Sequence, residues 1–325
     1  MFINFLVLFF LIMLAVFFGW LTSLAIRAEK LWVKIVGGLA GGLATLLMVA
    51  IIFIGGKGLV SMYFPGADPA PDLQVEGTPE QIARGEYLVN ISCVGCHGQV
   101  GPDGERDSQP LSGGLDLAAE QGLGFMGSMV TENLTPGGKL ADYSDGEIFR
   151  TIRQSVSKEG HRLAAMSYLP YSQLSDEDTI AIVAYLRSLP AAESPQPTGD
   201  RVNFVGALLT GAGMIPGMNI VRGEVTAPEP GATAEYGAYV AALGDCRTCH
   251  GPEMTGAPAS VLGPAVINPR PFVSVLTLEQ FVETMRSGVR PNGVAFPETM
   301  PWQNASRMSD EDLAALYTYM ITPVE

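Results

Sequence analysis

The chain opens on two apolar stretches and then changes character. Residues 1–26 and 35–56 carry no charged side chain. About 20 apolar residues suffice to cross a hydrocarbon core about 30 Å thick. The pattern therefore predicts a transmembrane hairpin over 1–60, with helices at about 3–26 and 35–56. Between them Arg27, Lys30 and Lys34 face a single Glu29. Basic loops stay on the cytoplasmic side, so both ends of the hairpin are expected outside. A cleaved signal peptide would need a basic leading region and a short apolar core. MFINFLVLFFLIMLAVFFGW has neither, and a retained helix is expected. The second stretch places Gly37 with Gly41, and Gly38 with Gly42, at GxxxG spacing. Small residues so spaced let helices approach closely in lipid, in the hairpin itself or against a partner subunit.

Past the hairpin the chain turns polar and periodic. FPGADPAPDLQVEGTPEQ is Pro/Gly-rich and reads as a linker over 61–81. One pattern then occurs twice. ARGEYLVNISCVGCHG corresponds to EYGAYVAALGDCRTCHG, pairing Gly85 and Tyr87 with Gly237 and Tyr239. SDGEIFRTIRQSV and TLEQFVETMRSGV follow, each with apolar residues at i, i+3 and i+4, as in an amphipathic helix. AMSYLPY meets TMPWQ, and LSDEDTIAIVAYLRSL meets MSDEDLAALYTYM. The last helix of each copy opens on Ser-x-x-Asp (Ser175/Asp178 and Ser309/Asp312), close to a capping box. The units run over 82–190 and 232–325, joined by 191–231. The uncharged run 202–221 is long enough for a third span. One more crossing would move the second unit to the other side of the membrane, so an interdomain strap is expected instead.

The four cysteines, Cys93, Cys96, Cys246 and Cys249, all fall in two Cys-x-x-Cys-His runs, CVGCH and CRTCH. These end on His97 and His250, two of only three histidines. Cys-x-x-Cys-His is the attachment signature of haem c. A thioredoxin-like motif would want a βαβ context, and a zinc site would need the two runs to converge on one metal. Two covalent haem c groups are the expectation. Haem is attached on the outer face of the cytoplasmic membrane, which agrees with the basic hairpin turn. The net charge of −14 argues against a nucleic-acid partner and suits steering of a basic soluble redox protein.

These residues resemble class I c-type cytochromes in tandem. The resemblance implies a mainly α fold: the transmembrane hairpin followed by two cytochrome c domains. In each, a first helix carrying Cys-x-x-Cys-His crosses a last helix. Gly85 and Tyr87 would cross at Tyr185, and Gly237 and Tyr239 at Tyr319. The first unit, with ENLTPGG and a Met segment before LSDED, is most similar to cytochrome subunits of membrane-bound alcohol and aldehyde dehydrogenases. Those subunits usually hold three haems.

Class I haems usually pair the motif histidine with a methionine, whose thioether raises the potential. Met300 lies where the family places that ligand, and Met166 corresponds to it in register before Ser175 and Ser309. His97, Met166, His250 and Met300 are the expected iron ligands, and His161 a loop residue or a neighbour of a propionate. In this family a proline carbonyl often accepts from the ring of the motif histidine, which nominates Pro110 and Pro264. The function implied is electron transfer at the outer face of the cytoplasmic membrane, within or beside a quinol-oxidising respiratory or photosynthetic complex. Partners would be other subunits of that complex, held through the hairpin, and a soluble redox protein or terminal acceptor. A dehydrogenase cytochrome subunit is the second version of that role. A dihaem peroxidase or a thiosulfate-oxidising cytochrome would need an open axial position and acid–base groups, for which His161 is the best candidate.

Overall fold

A computed structural model describes residues 1–101, 106–260, 263–297 and 299–324. The fold is mainly helical, with two long apolar helices followed by two similar helical units. Helix α1 (Phe2–Arg27) and helix α2 (Leu31–Tyr63) form an antiparallel hairpin, both long and apolar enough to cross a membrane. Large side chains such as Phe9, Phe10, Leu39 and Phe53 are exposed along it. Gly37 and Gly41 serve the hairpin: a Cβ on Gly41 would lie 2.4 Å from Thr22 Oγ1, and one on Gly37 2.9 Å from Ala25 Cβ.

Helix α2 continues past the expected end at 56 through GGKGLVSMY, which holds no proline; the first lies at Pro65. The added turns have a function in packing. Helix α3 of the hairpin's neighbour is short: Phe204–Gly211, within the uncharged run, capped by the Asn203 side chain on Val205 N and Gly206 N. It lies against α2 through small residues. A Cβ on Gly58 would sit 1.7 Å from the Ala207 carbonyl oxygen, and one on Gly211 1.8 Å from that of Ile54. The run 202–221 is thus a strap docked on the hairpin, not a third long helix.

The first unit runs from helix α4 (Pro79–Ser92) through α5 (Asp145–Gln154) to α6 (Asp176–Ser188). The second runs from α7 (Ala234–Leu243) through α8 (Leu278–Ser287) to α9 (Asp310–Ile321). Polar caps set where these helices begin. Thr78 with Gln81, Ser144 with Glu147 and Thr277 with Gln280 each close a capping box, satisfying end N–H groups that the helix leaves unpaired. In each unit the first and last helices cross at a glycine. A Cβ on Gly85 would lie 1.9 Å from the Ala181 carbonyl oxygen, and one on Gly237 2.0 Å from that of Ala315. Leu88, Val89, Ile91, Ile182 and Val183 fill the first crossing; Val240, Leu243, Leu313 and Leu316 fill the second. Strand β1 (Gly127–Val130) pairs antiparallel with β2 (Gly199–Val202), tying the strap to the first unit.

Candidate haem sites and the contact between them

Each Cys-x-x-Cys-His run is wound into helix directly after the first helix of its unit. Cys93 N donates to the Val89 carbonyl at 2.8 Å, and Val94–His97 form a short turn. The second run, Cys246–His250, is helical throughout and starts after Asp245, whose φ of 58° lies in the left-handed region. Helical winding brings a cysteine three positions on to the same face, one turn apart.

Burial pushes the Cys93 thiol up to about 11 and the Cys246 thiol up to about 12. A redox dithiol needs the opposite shift, toward the thiolate. Among the described residues no three of His, Cys, Asp and Glu converge as a metal set, so the two runs do not share a zinc. Half-buried to exposed thiols, with Cys93 and Cys246 held protonated, each pair beside a histidine, fit covalent haem attachment.

His97 is held in place. Its Nδ1 lies 2.7 Å from the Glu132 carbonyl oxygen, a group that can only accept. That fixes the tautomer with Nδ1 protonated and leaves Nε2 with a lone pair for a metal. Burial lowers the His97 pKa and so favours the neutral ring a ligand needs. Pro110, expected as the acceptor, is exposed and does not take this part. The Glu132 carbonyl does, because the ENLTPGG loop passes the ring while the Gln109–Pro110 segment turns outward. His250 Nδ1 is buried without a hydrogen-bond partner among the described residues. The backbone of Ile267 is the polar group that acts on this ring, and Pro264 is exposed. The prolines follow from the family resemblance; a carbonyl acceptor on another residue carries no side-chain signature.

Met166 begins a single 3-10 turn, half-buried and packed on the core, with its carbonyl accepting from Ser155 Oγ at 2.9 Å. Met300 is likewise half-buried against the core, ahead of the short helix Trp302–Ala305. Met308 is fully buried, its methyl against Gly244 beside Cys246, as a packing residue would be. His161 stands edge-on to Tyr63, ring centroids 5.4 Å apart, at the end of α2.

Tyr87 and Tyr239 depart from expectation. Neither closes the crossing of its own unit; each reaches into the other. Tyr239 Oη donates to Asp178 Oδ2 at 2.7 Å and accepts from Ser175 N at 3.0 Å. Tyr87 Oη donates to Asp312 Oδ2 and accepts from Ser309 N at 3.0 Å. The first helix of each unit thereby completes the N-terminus of the other unit's last helix. Arg84 adds a fork to Asp178 at 2.8 and 3.0 Å, the geometry that makes guanidinium–carboxylate pairs strong. Asp178 and Asp312 occupy the capping-box position, but their side chains serve these contacts instead.

The haem motifs lie on this interface. A Cβ on Gly95, inside CVGCH, would be 2.8 Å from Asn304 Nδ2 of the second unit. Arg247, inside CRTCH, donates to Gln173 Oε1 of the first unit at 2.7 Å. Tyr168 lies within electrostatic reach of both Cys96 and Cys249. Asp245, half-buried and donated to by Thr248, is pushed up to about 6 by desolvation and acts on Cys93 across the interface.

The model of the family described as "Cytochrome C oxidase, cbb3-type, subunit III" matches twice, over residues 80–186 and 232–320. The chain belongs to this family. The two matches of the cbb3-type subunit III family coincide with the two helical units, one haem c to each, and the chain is a dihaem electron-transfer cytochrome. A "Diheme cytochrome c-type" of Cereibacter sphaeroides is 26% identical over 75% of this chain and 86% of its own length. The cytochrome c subunit of the "Alcohol dehydrogenase (quinone)" of Gluconacetobacter polyoxogenes is 33% identical over 33% of this chain and 26% of its own. A fructose dehydrogenase cytochrome subunit of Gluconobacter japonicus is 30% identical over 34% and 26%. The chain thus spans about a quarter of the length of these dehydrogenase subunits.

Proposed function

We propose that this chain is a membrane-anchored dihaem cytochrome that passes electrons within or beside a quinol-oxidising respiratory or photosynthetic complex. The interlocked haem units, mounted on one end of an apolar hairpin, carry the reading. Asn4 near the start of α1 and Tyr63 at the end of α2 lie on the side of the haem units, with Arg27–Lys30 at the far turn. A basic turn inside and haem units outside satisfy both the charge rule and the side on which haem is attached.

Each haem supplies a one-electron couple as its iron alternates between ferric and ferrous. The chain's own residues hold and orient it. Cys93, Cys96, Cys246 and Cys249 fix the rings, and His97 and His250 offer neutral imidazole. Met166 and Met300 would hold the irons as thioether ligands, which would leave substrate no place on them. The tyrosine brackets keep the two motifs at one separation, which suits transfer between haems.

The test is extraction in mild detergent with identification of the co-purifying subunits, alongside carbon monoxide addition to the reduced protein. A quinol-oxidising partner and no carbon monoxide adduct support the reading. Release of the chain by alkaline carbonate, or a stoichiometric adduct, would refute it. The dehydrogenase-subunit reading draws on the relatives of the first unit, and a co-purifying dehydrogenase would select it.

A further inference from the structure

Where the hairpin meets the first haem unit the structure encloses a cavity of about 530 Å³, lined by Met1, Met62, Tyr63, Met126, His161 and Asp200 among others. Its size falls within the range of small-ligand sites, about 300–1,000 Å³. Cys93, Cys96, His97 and Met166 are not among its lining residues, so it lies beside the haem attachment rather than at it. Tyr168 is common to both, lining the cavity and lying within reach of Cys96 and Cys249.

The walls differ in character. Methionines at the hairpin end and on the first unit make an apolar, adaptable side. Charged and polar side chains line the other side, among them Glu132, Lys139, Arg162, Arg201, His161 and Asp200. His161 is held edge-on to Tyr63, whose hydroxyl accepts from Asn4 Nδ2 at 3.0 Å, and the same Asn4 amide donates to the Val202 carbonyl at 2.9 Å. Asn4 is 1% exposed, so the mount is rigid. Next to His161, Arg162 is buried and docks the segment on α2: its N–H donates to the Met62 carbonyl at 2.8 Å and its guanidinium to that of Pro216 at 2.5 Å. Asp200 is exposed on β2 and turned to the cavity, accepting from Ala164 N at 2.6 Å. Desolvation, with Glu132 and Asp116 nearby, pushes its carboxyl up to about 6 despite Lys139. It can take and release a proton near neutral pH.

A methionine-rich wall at the end of the apolar hairpin, polar and charged groups facing it, and haem attachment next door suit one ligand class. We propose that this cavity binds the ring of a lipid-soluble quinone or quinol, with His161 and Asp200 meeting its two oxygens and its tail leaving past Met1 and Met62. The inference rests on the membrane placement of the hairpin proposed above. The site belongs to the hairpin as much as to the haem unit.

The experiment uses the full haem-loaded chain in detergent and an azido-ubiquinone photolabel, with mass spectrometry of the labelled peptides. Label is expected on the peptides holding Met62–Tyr63 or His161–Tyr168, displaced by excess decylubiquinone or menaquinone. His161→Phe keeps a ring against Tyr63, and Asp200→Asn keeps the acceptor for Ala164 N. Each should cut the competed label about tenfold while the visible spectra and potentials of both haems hold. Uncompeted label spread over α1 and α2, or label unchanged in both variants, would overturn the proposal. So would a shift of the first haem's potential without loss of label, because the cavity would then serve the haem. A chain that remains carbonate-resistant and haem-loaded but takes no label fails this proposal alone. A chain released by carbonate fails the membrane reading first.

Discussion

Tyr239→Phe removes one oxygen and little volume, and the structure says what that oxygen holds. It accepts from Ser175 N and donates to Asp178, and both partners belong to the first unit. Ser175 is 2% exposed, so its N–H would be left without water or partner. An orphaned buried donor costs about 1–3 kcal/mol, and a lost bond to a charged group about 1.5–3 kcal/mol. Asp178 keeps the Arg84 fork, which limits the second loss. The expected cost is about 2–3 kcal/mol, drawn from the contact between units and not from either core. Tyr87→Phe is the mirror change and should cost less, because Ser309 N opens to solvent and water replaces the hydroxyl. The assay is denaturant unfolding of the haem-loaded chain, followed separately by far-UV circular dichroism and by the haem absorbance. The wild type should unfold in one transition. The double variant should show two, with faster proteolysis in 191–231. Costs below about 0.5 kcal/mol for both single variants, the scatter of ordinary surface changes, would refute the bracket as a source of coupling.

Other expectations follow from the same geometry. Intact mass should equal the chain plus two haems, colour should survive acid–acetone, and Cys246→Ala with Cys249→Ala should leave one haem. Met166→Ala and Met300→Ala should each remove about half of the weak red charge-transfer band of the oxidised protein and lower one potential, since thioether ligation favours ferrous iron; His161→Ala should leave the band intact. Asp200 has a folded pKa raised to about 6, so the folded state holds its proton longer than the unfolded one. Its desolvation is therefore without penalty below about pH 4 and progressively destabilising as pH rises to about 6. Asp200→Asn should gain stability relative to wild type across that window and hold the gain above it, measured by thermal unfolding at a series of pH values. Gly58→Ala places a methyl group on the Ala207 carbonyl and should cost about 1–3 kcal/mol by overpacking, read as faster protease cleavage in 202–221.

The periodic and covalent features were legible in the sequence: the hairpin, both units, the two haem runs and the glycine crossings at 85 and 237. Local rules govern all of them, whether apolar spacing, caps or a five-residue motif. The strap was half legible. Topology excluded a third span, but that Gly58 and Gly211 would seat α2 on a short helix required knowing how far α2 runs, and Lys57 hid it. The contacts of Tyr87 and Tyr239 were assigned to the wrong neighbour because a repeat reads each unit alone, whereas these side chains are spent between units. Glu132 was invisible for another reason. What it contributes to His97 is a carbonyl, and every residue has one.

The Asn4 amide reaches Val202 across 198 positions of sequence. The hairpin is synthesised first, yet this contact cannot form until the first unit and the start of the strap exist and β2 has found β1. The long helices are thus placed early and locked late. A defect in haem attachment or in the β1–β2 pairing should leave the helical hairpin formed but its end at Asn4 and Tyr63 loose. Such a chain would present Tyr63 and its neighbours to quality-control proteases. The anchor becomes a reporter of whether the redox part has matured.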